Sequence, residues 1–147
     1  MIVKARVSIR GSKAAVWDAI TNLEKTEAIV RGIEKIEVVE RPAKALVGLK
    51  WRETRMLFDK PTTVEKWITH ATESSFTTRA EDGGMVFVTT HRVEESDGVV
   101  TLASSHETTA QGFVASLKAM PLFLFKGAIK KAVLQDLNDI KSAVEQG

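Results

Sequence analysis

The amino-acid sequence predicts an α+β fold in which a curved, seven-stranded antiparallel sheet wraps around a long C-terminal helix. Two observations carry this prediction. Between Gly32 and Thr109, turn signals recur roughly every ten residues and the segments between them alternate, which is typical of an antiparallel meander. After Thr109 the apolar spacing changes to three and four residues, which indicates an amphipathic helix. At 147 residues, we expect residues 1–147 to form a single domain.

The N-terminal segment predicts a strand followed by two short helices. Apolar and polar residues alternate from Val3 to Ile9, as in a strand with one buried face. Ser12 follows Gly11 and is suited to cap the next helix. The helical pattern breaks and restarts near Thr21-Asn22 and stops before Gly32, so two short helices are expected between the first and second strands.

The middle of the chain predicts six strands joined by direct hairpins. The run GIEKIEVVER ends at Arg41-Pro42, and LVGLKWRETRML resumes an extended pattern, so these two segments are expected to form a hairpin. Further turn signals stand at Asp59-Lys60-Pro61, Glu73-Ser74, Asp82-Gly83-Gly84 and Ser96-Asp97-Gly98. With the first strand, the count is seven.

The C-terminal segment predicts a long amphipathic helix. Its apolar stripe consists of Ile129, Val133, Leu137, Ile140 and Val144, with Lys130, Lys131, Asp136 and Lys141 mostly off the stripe. Pro121 is expected to kink this helix or to separate a short leading helix, GFVASLKAM, because proline lacks a backbone donor.

Composition excludes several functional classes. The absence of cysteine excludes disulfides and thiolate metal sites, and three scattered histidines predict neither a metal cluster nor a cofactor. Interspersed charges with a net charge of +2 argue against nucleic-acid binding. The apolar runs are too short for a signal peptide or for membrane insertion, so a cytoplasmic protein is expected. Monomer and homodimer both remain open.

The element order and three segments resemble the SRPBCC superfamily, whose fold is the helix-grip fold. The segments are VGLKWRETRMLFDKPTTVEKWIT, the opening VSIRGSKAAVWDAITNLEKTEAIVRGI, and the hairpin DGVVTL. That superfamily includes START lipid-transfer domains, birch-pollen-allergen relatives and bacterial polyketide cyclase/dehydrase-like proteins. The resemblance implies a ligand pocket between sheet and helix, while the ligand and any activity cannot be inherited from the fold alone.

The first hairpins predict one side of this pocket. Pairing across Arg41-Pro42 places Val47, Leu49, Trp51, Glu53 and Arg55 on the inner face with Ile36 and Val38. A turn at Asp59-Lys60-Pro61 would then set Trp51 near Thr69, Glu53 near Trp67, and Arg55 near Glu65. The same register sends Lys50, Arg52, Lys66 and His70 to solvent.

The later strands predict the rest of the lining. Pairing around Ser96-Asp97-Gly98 places Phe87, Thr89, His91 and Val93 on the face of Leu102, Ser104, His106 and Thr108, joined by Phe76 and Thr78. The LFLF run is expected to close one end. The candidate ligand-binding residues are therefore Trp51, Glu53, Arg55, Glu65, Trp67, Phe76, Phe87, Thr89, His91, Ser104, His106, Phe113 and Leu117.

The titratable candidates each allow two interpretations. Glu53, Arg55 and Glu65 either orient a polar ligand group or form a structural ion pair. His91 and His106 serve either as a general acid or base or as hydrogen-bonding lining. The predicted register separates these two rings by about four residues, or roughly 13 Å, so they are not expected to act as a close pair.

Three functional hypotheses follow. The leading one is binding of a small hydrophobic molecule such as a lipid, polyketide or aromatic metabolite. The second is a polyketide cyclase or dehydratase in which Arg55 polarises a carbonyl while Glu53, Glu65 or His106 moves protons. The third is a protein-interaction or chaperone-adaptor domain, which predicts a contiguous exposed apolar patch and little cavity volume.

Overall fold

Seven antiparallel strands form one continuous sheet in the computed structural model, which describes residues 1–57, 59–112 and 124–147. The strands are β1 (Ile2–Ile9), β2 (Ile33–Glu40), β3 (Lys50–Leu57), β4 (Lys60–Ala71), β5 (Ser75–Asp82), β6 (Met85–Ser96) and β7 (Val99–Ala110). They lie in the order β1-β7-β6-β5-β4-β3-β2, so β2 to β7 form a meander and β1 closes onto β7. The predicted seven-stranded antiparallel sheet is confirmed.

Two short helices, α1 (Lys13–Thr21) and α2 (Leu23–Ile29), connect β1 to β2 as predicted. Ser12 caps α1, because its Oγ accepts a hydrogen bond of 3.0 Å from the backbone N–H of Ala15. The break between the helices falls at Asn22, and the Thr26 hydroxyl donates to the Ala19 carbonyl across it at 2.7 Å.

The long helix α3 (Lys126–Gln146) packs its apolar stripe against the concave face of the sheet, as predicted. Val133, Leu137 and Ile140 are buried on this stripe. The helix is tied to the end of β1, where the backbone N–H of Arg10 donates to Glu145 at 2.9 Å. None of the helices within the described ranges is long and apolar enough to cross a membrane. The predicted kink at Pro121 and the segment GFVASLKAM, apart from Gly112, lie outside the described residues.

The register of the β3–β4 hairpin differs from the prediction. Leu57 pairs with Lys60 across a two-residue turn in which Asp59 has a positive φ of 62°, and Glu53 therefore faces Val64 rather than Trp67, a shift of three residues. Because side chains alternate along a strand, an odd shift turns the other face of β4 inward. Pro61 lies in the strand opposite Met56 instead of in the turn.

The β2–β3 pairing is antiparallel as predicted, but two predicted inward residues are exposed. Val38 is 38% exposed and lies next to a register shift in β2, where the strand is irregular. Val47 is 46% exposed because β3 begins only at Lys50, which leaves Val47 in the preceding loop. Leu49 and Trp51 are buried, as predicted.

Candidate ligand-binding site

A cavity of ≈ 90 Å³ lies between the concave face of the sheet and the three helices. Its walls are mainly apolar and include Leu49, Trp51, Ile68, Phe76 and Leu137. A second, more open lobe of ≈ 210 Å³ adjoins it and is lined by Leu57, Val64, Ala80 and Phe87. Both lobes share the side chains of Glu53, Arg55, Lys66, Thr78, Thr89 and His106. The polar groups thus lie where the two lobes meet.

A cluster of four charged side chains lies at this junction; we call Glu53, Arg55, Lys66 and Asp136 the charged cluster. The Glu53 side chain is 7% exposed and accepts from Arg55 Nε at 2.7 Å and from Lys66 Nζ at 2.9 Å. Its other oxygen accepts from the Trp51 indole at 3.3 Å. Arg55 also contacts Asp136 of α3, with Nη2 and Oδ2 2.9 Å apart. The guanidinium therefore links sheet and helix.

Two opposing effects set the pKa values in the charged cluster: burial disfavours each charged form, and the contacts between opposite charges favour it. Burial acts to raise the pKa of Glu53, but Lys66 and Arg55 together outweigh it and lower that pKa to about 2. Burial raises the pKa of Asp136, and Arg55 only partly offsets this. The two carboxylates raise the pKa of Arg55 against the opposing effect of burial. The formal charges of the cluster cancel.

A chain of hydrogen bonds joins four neutral side chains beside the charged cluster; we call His91, Ser104, His106 and Thr89 the histidine chain. Ser104 Oγ lies 2.9 Å from His91 Nδ1 and 3.1 Å from His106 Nε2. His106 Nδ1 lies 3.2 Å from Thr89 Oγ1. The two ring centroids are 6.1 Å apart.

The predicted separation of about 13 Å between these histidines is therefore wrong. His91 pairs with Ser104, and Thr89 pairs with His106, so these residues share one face as predicted, but the offset between the histidines is two residues and not four. The two histidines are consequently diagonal neighbours, two residues out of register on adjacent strands and on one face, and such neighbours lie within reach of ring side chains.

Both histidines of the chain are neutral at pH 7. Burial lowers the pKa of His91 to about 3, with further lowering by the neighbouring His106 and Lys66. Burial also lowers the pKa of His106 to about 4, assisted by Lys66 and Arg55. Each ring therefore carries a single proton on one of its two nitrogens, and the other nitrogen can accept a hydrogen bond.

Nine of the predicted site residues line the two lobes: Trp51, Glu53, Arg55, Phe76, Phe87, Thr89, His91, Ser104 and His106. Glu65 and Trp67 do not, because the β3–β4 register turns them to the outer face. There Glu65 lies 3.5 Å from both Lys50 and Arg52, and Lys50 Nζ lies 5.7 Å from the centre of the Trp67 ring. Phe113 and Leu117 lie outside the described residues.

The sequence patterns do not predict two side chains that line the cavity, Lys66 and Asp136. Lys66 was assigned to solvent by the same incorrect register that placed Glu65 inside. Asp136 was assigned off the helix stripe, although it follows Val133 by three residues and precedes Leu137, which places it at the edge of the buried face. Within the described ranges, no three side chains of His, Cys, Asp or Glu converge to hold a metal ion.

Solved structures with the same fold are numerous, although no protein-family model and no curated protein matches the sequence. A START superfamily protein from Mycobacterium smegmatis has a TM-score of 0.81 at 10% identity, covering 99% of this chain and 97% of that one. The Zhui aromatase/cyclase from Streptomyces sp. R1128 has a TM-score of 0.77 at 14% identity, covering 99% and 94%. Ara h 8.0201 has a TM-score of 0.75 at 16% identity, covering 100% and 99%.

These similarities span the whole length of the chain and define its fold. The protein has the helix-grip fold, and the predicted similarity in fold to START-like and polyketide cyclase-like proteins is confirmed. At 10–16% identity the similarity shows the fold alone, and the function must be argued from the residues of the cavity.

Proposed function

We propose that the protein binds a small, uncharged, mostly apolar molecule that carries a hydroxyl or carbonyl oxygen. The observation that carries this proposal is an apolar cavity with a small group of polar side chains at one place in its wall. Such a combination is typical of small-molecule sites, where apolar walls supply affinity and a few polar groups fix orientation. Solved structures with this fold include a START superfamily protein and an aromatase/cyclase, which supports the same class of function.

The balance of charge in the cavity favours an uncharged ligand. Arg55 and Lys66 are the cations that an acidic ligand would seek, but both already contact Glu53, and Arg55 also contacts Asp136. A carboxylate ligand would have to displace one of these buried carboxylates or lie beside it. Breaking a buried ion pair leaves an uncompensated charge, which costs several kcal/mol, about 3–5. Fatty-acid anions should therefore bind less well than neutral molecules.

Three naphthalenes of similar size test this proposal: 2-naphthol, 2-acetonaphthone and 2-naphthoate. Calorimetric titration at pH 7 should show binding of the alcohol and the ketone, and at least about tenfold weaker binding of the carboxylate. Failure of both neutral probes to bind, or tighter binding of the carboxylate, would contradict the proposal.

A pair of variants locates the binding site. Thr78 is buried and lines both lobes, whereas Thr77 of the same strand bonds to Thr90 on the outer face, with the two hydroxyls 3.0 Å apart. Thr78→Phe should fill the junction of the lobes and abolish binding. Thr77→Phe is the matched control and should leave it unchanged. Equal effects of the two variants would place binding elsewhere.

An enzymatic role is a second candidate, because Arg55, Glu53 and His106 do line one cavity. Their pKa values argue against it. A general acid or base works best when its pKa is near the operating pH, whereas Glu53 has a pKa of about 2 and His106 of about 4. Glu65 cannot take part from the outer face. Detection of a cyclised or dehydrated product with the wild type, lost in Arg55→Gln, would revive this role.

The exposed apolar side chains of β2 and β3 give little support to a protein-docking face. Val38 and Val39 lie near one end of the β2–β3 ribbon, whereas Met56 and Leu57 lie at the far end of β3. Val38 pairs with Trp51, six residues from Leu57, which separates the two groups by about 20 Å along the strand. A contiguous patch of the kind that docking requires is not formed by these residues.

A further inference from the structure

The histidine chain has more than one way to place its protons. Ser104 Oγ lies within hydrogen-bond distance of a ring nitrogen on each side, at 2.9 Å from His91 Nδ1 and 3.1 Å from His106 Nε2. A hydroxyl has one proton to donate and can accept others. Ser104 can therefore donate to one ring only, and the other ring must then donate to Ser104.

Two arrangements satisfy every hydrogen bond of the chain. In the first, Ser104 donates to His91 Nδ1 and accepts from His106 Nε2–H, and the Thr89 hydroxyl donates to His106 Nδ1. In the second, every bond is reversed: His91 Nδ1–H donates to Ser104, Ser104 donates to His106 Nε2, and His106 Nδ1–H donates to Thr89. Both rings are protonated at Nε2 in the first arrangement and at Nδ1 in the second.

The mixed arrangements are unfavourable because each leaves a buried group unpaired. If His91 is protonated at Nε2 and His106 at Nδ1, both facing nitrogens need a proton from Ser104, which has one. If both facing nitrogens carry protons, the Ser104 proton has no acceptor among the contacts of its hydroxyl with the described residues. Ser104 is only 3% exposed, so water cannot readily replace a missing partner.

The far end of the chain opens on the cavity. His91 lines the cavity, and its Nε2 has no hydrogen-bond partner among the described residues. Within the same residues, no side-chain nitrogen or oxygen is both sealed from solvent and unpaired. Nε2 of His91 is therefore accessible from the cavity. It is a donor in the first arrangement and an acceptor in the second.

We propose that Ser104 couples the tautomers of His91 and His106, so that the cavity presents His91 Nε2 either as a donor to a ligand carbonyl or as an acceptor for a ligand hydroxyl. Ser104 would then determine ligand specificity through the two histidines and not through a contact of its own with the ligand. The ligand class that uses both states is a molecule that interconverts between keto and enol or phenol forms. This inference rests on the proposed binding function for its ligand, but the coupling itself is a property of the free protein.

The coupling can be tested without any ligand. Long-range ¹H–¹⁵N correlation spectra of the full chain at pH 7 report which nitrogen of each ring carries the proton. The expected result is that His91 and His106 show the same tautomer, or the same mixture of the two. Opposite tautomers in the two rings, or a doubly protonated ring, would overturn the proposal.

The naphthalene probes then test the response to a ligand. Excess 2-acetonaphthone should move both rings toward Nε2–H, and excess 2-naphthol should move both toward Nδ1–H. We expect the ratio of the two states to differ by about tenfold between the probes, which is the effect of about 1.4 kcal/mol, or one hydrogen bond. Binding of both probes with no change in either ring would overturn the ligand-matching role while leaving the proposed binding function intact.

The variant Ser104→Ala separates coupling from packing. It removes the link between the rings and keeps a small side chain, so the ketone should still set the tautomer of His91 but no longer that of His106. Ser105→Ala, on the outer face of the same strand, is the matched control and should retain the coupled response. If the tautomer of His106 still responds to the ligand in Ser104→Ala, the proposal is wrong.

A further outcome separates this inference from the proposed function. If neither probe binds while the two rings of the free protein show the same tautomer, the proposed function and the ligand-matching role both fail, and the coupling stands.

Discussion

At the scale of single residues, Glu53 and Glu65 show how the face of a strand decides what a carboxylate does. The Glu53 side chain is 7% exposed and contacts two cations inside the cavity. Glu65, on the adjacent strand, contacts Lys50 and Arg52 on the outer face with its side chain 38% exposed. Buried pairs are costly to break, whereas exposed pairs contribute little.

We expect Glu53→Gln to destabilise the protein by about 3 kcal/mol or more, because it leaves Arg55 and Lys66 incompletely neutralised in a buried site. Glu65→Gln is the matched control and should cost less than about 1 kcal/mol. Urea unfolding at pH 7 followed by tryptophan fluorescence measures both free energies of unfolding. Similar losses in the two variants would show that the Glu53 pairs behave as surface pairs.

The histidine chain predicts that acid destabilises the fold well above the range in which carboxylates titrate. The pKa values of about 3 for His91 and about 4 for His106 lie below the ordinary histidine value of 6.5. Between about pH 6.5 and pH 4 the unfolded chain therefore binds protons that the folded chain does not, so the free energy of unfolding must fall as the pH falls. Two such groups give a slope of at most about 2.7 kcal/mol per pH unit.

Urea unfolding at intervals from pH 7 to pH 4.5 measures this slope. His106→Gln should reduce it by about half, because one of the two buried neutral rings is then removed. A free energy of unfolding that is constant from pH 7 to pH 5 would contradict the assignment of neutral buried rings. Below about pH 4.5 the free energy of unfolding should continue to fall, because Glu53, whose pKa is lowered to about 2, then takes up protons in the unfolded chain before the folded one, while the contribution of His106 fades.

At the scale of elements, two hairpins explain why part of the site could be predicted and part could not. The β6–β7 turn contains Asp97 and Gly98 at positive φ values of 53° and 79°, a recognisable signal for a two-residue turn, and the shared face predicted from it is correct. The β3–β4 turn has no glycine, and its positive φ falls on Asp59 beside the stronger but misleading signal of Pro61. A turn centred on Lys60 therefore assigns every side chain of β4 to the wrong face of the sheet.

The contact of Arg55 with Asp136 depends on a glycine between α2 and β2. A Cβ added to Gly32 would lie 2.9 Å from Arg55 Nη1 and 3.3 Å from Asp136 Oδ1. Because that guanidinium is held at both ends, it cannot simply swing away. We expect Gly32→Ala to cost about 1–3 kcal/mol, the usual range for overpacking a filled site.

Gly127 in the first turn of α3 provides the opposite case, because an added Cβ there meets no described atom within 4 Å. Gly127→Ala should therefore stabilise the protein by about 0.5 kcal/mol through helix propensity. Chemical denaturation of both variants measures the contrast. A gain in stability for Gly32→Ala would show that the link between β3 and α3 tolerates displacement.

At the scale of the whole molecule, the order of elements was predictable and the assembly of the site was not. Alternation, turn residues and helical spacing are local signals, and they correctly indicate seven strands, two short helices and a long terminal helix. The charged cluster instead depends on a long-range contact between β3 and α3, through Arg55 and Asp136. Sequence spacing carries no direct information about such a contact.

The closure of β1 onto β7 has a consequence for the order in which the chain folds. Val3 pairs with His106 across about a hundred residues of sequence, whereas every pairing among β2 to β7 joins strands that are neighbours in the chain. The entropy of closing a long loop must be lost before its contacts can form. We therefore expect the meander to be assembled in the folding transition state, and β1 to join afterwards.

Val3 and Val93 are matched probes of this order, since they are 2% and 0% exposed in β1 and β6 respectively. Each change to alanine should cost about 2 kcal/mol. Stopped-flow kinetics should show that Val93→Ala slows folding, whereas Val3→Ala chiefly speeds unfolding. Slower folding in Val3→Ala would place β1 in the nucleus. With β1 docking last, the same strand would also be the first to detach, and the cavity would then open at its β7 side without loss of the meander.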